Sequence, residues 1–432
     1  MALLPYIVHL PLIFSLCFLI KKKYSAEPLA VFFWPGLLLK ATAGIVLGLL
    51  YFYYYPGGDT TNFQFYANTL TEYLHSDQHK FVSVFFLNEF NETTKSAIPV
   101  WEEPRTMFMV RLISIQNLFT FNNYWINGLY FSIFSFTGLW FLGNRIVKQF
   151  KISKEAVAFS FLFFPSVIFW SSGLIKDSLL VGIICFIVFL FLKIQETSRI
   201  QLKDLILLVA LFYFGWKVKF YYTAVLTALI LSYFITHFLL RQFNIKKSIS
   251  AYFILPLIFL GLGVVASLFI PSLNLNYLLF IMHYSYDLIS KGSGDFTFHH
   301  LNPELSSYIF NFPQALYTGL FRPLPWEVSG ILPLLVGLEN FILLVLFIGF
   351  LFSLIKSRSA KISLIPYSLF LYVFLLAALM AFIAPNWGTL SRYKAGYLMF
   401  WLLLLSHQNP LVEIVVNKIR GLAPHSKNSM ES

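Results

Sequence analysis

Asp59 follows two glycines at the end of an apolar run, in Tyr55-Pro56-Gly57-Gly58-Asp59. The glycines permit a tight turn at a membrane surface. A carboxylate placed there can act as a general base, or hold a divalent cation such as Mg or Mn, beside a substrate lying among lipid headgroups. It can equally do no more than cap the helix that follows. Four more polar clusters interrupt apolar sequence. In Ile175-Lys176-Asp177, Lys176 can pair with its neighbour or bind a phosphate. In Trp216-Lys217-Val218-Lys219, both amines can snorkel to lipid or hold a lipid-linked phosphate. Phe321-Arg322-Pro323-Leu324-Pro325-Trp326-Glu327 is a stiff loop in which Arg322 and Glu327 either pair internally or face a substrate. Ser391-Arg392-Tyr393-Lys394 opens an apolar run. Arg392 offers a planar fork to phosphate or carboxylate, and two cations at such a place are costly unless paired. Glu102 and Glu103 read as solvated. Asp295, His299 and His300 form only a weak metal signal.

The elements that must carry these residues are membrane helices. Of 432 residues, 58% are hydrophobic and 12% charged, more apolar surface than a soluble domain can hide. Eleven apolar runs match bilayer spans, at 3–20, 32–55, 122–143, 156–173, 178–194, 204–216, 220–240, 250–270, 331–355, 362–384 and 395–408, of which the short runs 204–216 and 395–408 fit tilted pairs or partly re-entrant segments as well. Beginning with Lys21-Lys22-Lys23, the Lys and Arg clusters fall at alternate gaps. The positive-inside rule then puts the N-terminus outside and the C-terminus in the cytoplasm. It also explains the net charge of +12 without nucleic acid. The expected organisation is all-α: one transmembrane domain over 1–408 and a basic cytoplasmic tail over 409–432. Long outer segments lie at 56–121 and 271–330. Within the first, Phe63, Tyr66, Leu70 and Tyr73 recur at helical spacing over 59–75, an amphipathic surface helix, with a second such helix or a short re-entrant one over 106–119. The first apolar run is followed, not preceded, by its charges, as in a retained helix. Cys17 and Cys185 lie inside apolar runs, which argues against a disulfide framework or a thiol site. Lys40 and Glu339 also lie inside spans, where each needs a partner or a neutral state. With this topology all five polar motifs share the outer face.

No Walker motif, HExxH, selectivity filter or Ser-His-Asp set is present. Gly57-Gly58-Asp59 with Tyr66, the stretch from Phe164-Pro165-Ser166 to Lys176-Asp177, and Ser391-Arg392-Tyr393-Lys394 together resemble the GT-C superfamily of polytopic glycosyltransferases. The late Arg-Tyr looks like the pattern opening the last core span in the 4-amino-arabinose and protein-mannosyl transferase relatives. Asp59 is followed by Thr60 and Thr61 and not by the second acid many members carry. The resemblance implies a bacterial inner-membrane enzyme. It would move a sugar from a polyprenyl-phosphate-linked donor to a glycan, lipid or protein acceptor outside the cytoplasm. Asp59 would be base or metal ligand, and Arg392 with Lys394, Lys176, Lys217 or Lys219 would hold the phosphate. Tyr66, Arg322 and Glu327 would line the substrate. The 164–178 stretch also looks like segments of O-antigen polymerases, which act on undecaprenyl-diphosphate glycans. A transporter or flippase is the third expectation.

Overall fold

A backbone immersed in lipid must satisfy its own hydrogen bonds, and helices do this within a single segment. The computed structural model describes residues 3–55, 57–197, 199–243, 250–356 and 363–422, and among these every regular element is helical. Eight helices are long and apolar enough to cross a bilayer: Leu4–Lys23, Ala30–Tyr53, Tyr124–Phe150, Lys176–Thr197, Leu202–Gln242, Ser250–Phe269, Ile331–Ile355 and Leu364–Ile383. Leu398–Ser406 and Pro410–Lys418, which meet at 86°, make a ninth if they count as one bent span. The chain is a multi-pass, all-α membrane protein.

The eleven expected spans differ from this in three places. The stretch 156–173 is broken into Lys154–Ala158, a π-helical turn Phe159–Phe163, and Pro165–Trp170. Pro165 pushes Phe164 out of the helical region, to φ −69° and ψ 123°. The runs 204–216 and 220–240 form one helical element, Leu202–Gln242, broken at Lys219, which has φ −152° and ψ 90°. A Cβ on Gly215 would stand 2.6 Å from Thr223 Oγ1. Eight residues of unbroken helix rise roughly 12 Å, so the two arms bend sharply toward one another at Lys219. The last run, 395–408, yields only Leu398–Ser406, whose nine residues are all buried. It is a peg in the protein core.

Helix Lys176–Thr197 is the central strut: 83% of its most apolar window is buried, against 6% for the peripheral Ser250–Phe269. It packs on Tyr124–Phe150 at a glycine contact, where a Cβ on Gly138 would approach Gly182 O to 2.9 Å. Lys40 is buried within the bundle and donates to Ser171 Oγ. Glu339 accepts from the Ser166 amide at 3.2 Å. Lys40 and Glu339 thus both have polar partners.

The segment 56–121 contains helices Asp59–Ser76 and Pro104–Thr120, packed on each other. A buried amide cluster binds them to the bundle. Asn127 Nδ2 donates to Gln64 Oε1 at 2.9 Å and to Asn117 Oδ1 at 2.7 Å, and Thr120 Oγ1 donates to Asn127 Oδ1 at 2.6 Å. At the opposite end of the bundle lie the ion pairs Lys148–Glu27, Lys193–Asp204 and Arg420–Glu155. The basic loops at 244–249 and 357–362, and the end of the tail from 423, lie outside the described residues.

Candidate functional site

Asp59 is the first residue of its helix, and Gly58 is the N-cap. Gly57 turns the chain with φ +76°, and a Cβ on Gly58 would lie 2.5 Å from the Tyr51 ring. The turn therefore needs glycine at both positions. Thr60, fully buried, is fixed by the Tyr124 hydroxyl, which donates to its Oγ1 at 2.9 Å. The Asp59 carboxylate does not cap its own helix. It accepts from Arg392 Nη1 at 2.8 Å, and its side chain stays 49% exposed.

Arg392 lies on the short helix Trp387–Lys394. That helix is capped twice: the Asn386 side chain accepts from the Thr389 amide, and Asp295 Oδ2 accepts from the Trp387 amide at 2.6 Å. Asp295 thus serves as an anchor, while the His299 and His300 rings pack on each other. Arg392 Nε donates to Asp177 Oδ2 at 2.7 Å, and Nη1 also lies 3.4 Å from the Tyr51 hydroxyl. Asp177 is fully buried, and its other oxygen accepts from Lys219 Nζ at 2.5 Å. The Lys219 amine sits 4.1 Å above the Tyr393 ring, and the Tyr222 hydroxyl donates to the Tyr393 carbonyl at 2.5 Å. The helix break at residue 219 directs this amine into the cluster. Asp59, Arg392, Asp177 and Lys219, from four separate segments, form one continuous charge chain. Burial works against charge on Asp59, yet the Arg392 guanidinium holds its carboxyl below the usual range. Burial also opposes charge on Arg392, which Asp177 and Asp59 hold well above its ordinary value.

Lys176 flanks the chain. Its amine donates to Thr106 Oγ1 at 2.9 Å and lies 5.0 Å from the Phe63 ring centroid. Thr106 in turn donates to Glu103 at 2.7 Å. Arg105, next to Thr106, is exposed, with its guanidinium 5.6 Å from the ring of Phe220, the residue after Lys219. Asp177, Tyr51 and Arg105 were not among the residues expected to form the site. Asp177 had a signal, its place beside Lys176; Arg105 had only a polar loop.

Other expected site residues lie apart from the chain. Lys394 is buried and donates to Arg322 O at 2.7 Å and Asn340 Oδ1 at 3.1 Å. Arg322 Nε pairs with Glu327 Oε1 at 2.7 Å, the internal arrangement, with its guanidinium over Trp387 at 4.9 Å. Lys217 is exposed and lies over Tyr213. Tyr66 is half-buried against the core. As for a metal, Asp59 engages a cation through one oxygen and Asp177 through both. No three His, Cys, Asp or Glu side chains gather among the described residues. A divalent ion needs several free oxygens, so this donor set does not fit resident Mg or Mn. Cations in excess of carboxylates suit a phosphate oxygen.

No family model matches the chain, and no curated protein or solved structure is significantly similar to it.

Proposed function

We propose that the chain is a membrane glycosyltransferase of GT-C type. It takes a sugar from a polyprenyl-phosphate-linked donor and passes it to an acceptor on the extracytoplasmic face of a bacterial plasma membrane. The observation that carries the reading is the Asp59–Arg392–Asp177–Lys219 chain, which joins one half-exposed carboxylate through the partly buried Arg392 to a buried lysine. The alternation of basic loops supports the outward orientation. In this reading Arg392, with Lys219 and Lys176, stabilises charge on the departing lipid phosphate. Asp59 accepts the proton of the acceptor hydroxyl as that oxygen bonds the sugar carbon.

The test is transfer of labelled sugar from a polyprenyl-phosphate donor by protein reconstituted in vesicles. Asp59→Asn and Arg392→Gln are each expected to lower the rate by about a hundredfold or more. Wild-type rates in both variants would remove the assignment. The polymerase or ligase reading draws support from the count of three cations around two carboxylates that are already paired. It predicts loss of activity in Arg392→Gln with retention in Asp59→Asn, on an undecaprenyl-diphosphate glycan.

A further inference from the structure

We infer that the Asp59 carboxylate occupies the donor's phosphate subsite. In the resting protein it stands on Arg392 where a lipid-linked phosphate oxygen will stand, and donor binding displaces it. This rests on the transferase reading above and adds to it the place of the phosphate and the order of events.

The two carboxylates on Arg392 differ in their freedom to leave. Asp177 is fully buried, holds Nε, and is tied to Lys219 as well. Asp59 is half exposed and holds only Nη1. It follows the turn at Gly57, where an added Cβ would meet no atom within 4 Å. Asp177 therefore fixes the guanidinium, and Asp59 is the exchangeable partner. The position it would vacate is bordered by Arg392 Nη1 and the Tyr51 hydroxyl, and Lys176 lies close enough to act electrostatically on the Asp59 carboxylate. All are donors suited to an anionic oxygen. Around them Arg392, Lys219, Lys176 and Arg105 outnumber Asp59, Asp177 and Glu103 by one. With Asp59 swung outward the surplus becomes two, and a phosphate then restores the balance.

The exchange has a chemical consequence. A carboxylate held by a guanidinium is a poor base, and one beside a phosphate anion is a better one. Asp59 becomes competent only once the donor is seated. It then takes the acceptor's hydroxyl proton. The acceptor oxygen bonds the sugar's anomeric carbon as the bond from that carbon to the phosphate oxygen breaks. The electron pair leaves on the phosphate oxygen held by Arg392. Without donor, Asp59 stays paired with Arg392.

The test is binding of undecaprenyl phosphate to purified protein in nanodiscs, with inorganic phosphate as a second arm. If Asp59 competes with the ligand, its removal tightens binding. Asp59→Asn and, as a second variant, Asp59→Ser are expected to bind the lipid about three- to tenfold more tightly than wild type while losing transfer. Arg392→Gln is expected to lose binding. Equal or weaker lipid binding by both Asp59 variants, with wild type binding normally, overturns this inference and leaves the transferase reading standing. Failure of wild type and both variants to bind the lipid overturns both. Equal affinity for inorganic phosphate would show that the subsite reads a free anion and not a lipid headgroup, against the proposal.

Discussion

Asp177→Asn tests the central electrostatic argument without altering side-chain shape. In the native protein both carboxylate oxygens are engaged, by Lys219 at 2.5 Å and Arg392 at 2.7 Å, and the Asp177 side chain has no solvent exposure. Its partners are nearly as enclosed, at 5% and 14% exposure. An asparagine would leave two cations facing one another and turn an amide NH2 toward one of them. Removing one member of a buried ion pair costs about 3–5 kcal/mol, because the remaining charge stays desolvated. For a chain of this length that corresponds to a fall in Tm of roughly 3–6 °C. Asp77→Asn is the control: its pair with Lys80 is over a third exposed on both sides, and such solvated pairs contribute little to stability. The assay is thermal unfolding in detergent, monitored by loss of the monodisperse peak. Asp177→Asn combined with Lys219→Met removes the cation that has lost its carboxylate, since Arg392 keeps Asp59, and should recover about 1–2 kcal/mol of the loss. An Asp177→Asn protein that melts within a degree of wild type, with no effect of the second change, would refute the account of a buried, mutually dependent network.

Further outcomes follow from other residues. Asp59 is held below its ordinary value of 3.8 despite burial, by Arg392, so the pair contributes above that pH and is lost as pH falls through the lower folded value. The Tm difference between wild type and Asp59→Asn should accordingly be flat from about pH 8 to 5 and shrink below about pH 4, as thermal melts across pH will show. Lys394→Met removes a buried amine from Arg322 O and Asn340 Oδ1, and should cost about 1–3 kcal/mol in the same melts while leaving undecaprenyl phosphate affinity unchanged. Lys217→Ala, at an exposed position, should change stability by less than about 0.5 kcal/mol and leave transfer intact. Gly173 has φ +72°, and a Cβ there would stand 2.9 Å from Leu47 and 3.3 Å from the Gly44 carbonyl. Gly173→Ala should therefore destabilise the turn leading into Lys176 and Asp177 by about 1–3 kcal/mol and depress transfer in the vesicle assay.

The spans were legible because lipid imposes length and apolarity on any segment that crosses it. The meeting of Asp59 and Arg392 was legible because both adjoin span ends assigned to the same side. What stayed hidden is the direction of individual side chains. Lys176 and Asp177 read as a local pair, yet adjacent helical residues point about 100° apart. Lys176 accordingly reaches Thr106 while Asp177 reaches Lys219 and Arg392. The same geometry separates Arg392 from Lys394, which turns inward to Asn340. Lys217 and Lys219 diverge for a further reason, since the helix breaks at the second of them. Asp295 carried no sign of its part, because capping a helix more than ninety residues away leaves no local pattern. The proline at 165 did announce a break, but the surrounding apolarity outweighed it in the reading of a continuous span.

Arg392 is separated by 215 residues from Asp177 and by 333 from Asp59. During synthesis the ribosome releases both acids long before their shared partner emerges. Through that interval Lys219 is the only one of Asp177's two ionic partners already in the chain. Shortened chains that end before residue 392 are thus expected to be retained by insertion factors or degraded, and a finished C-terminal quarter becomes the signal that the protein has matured.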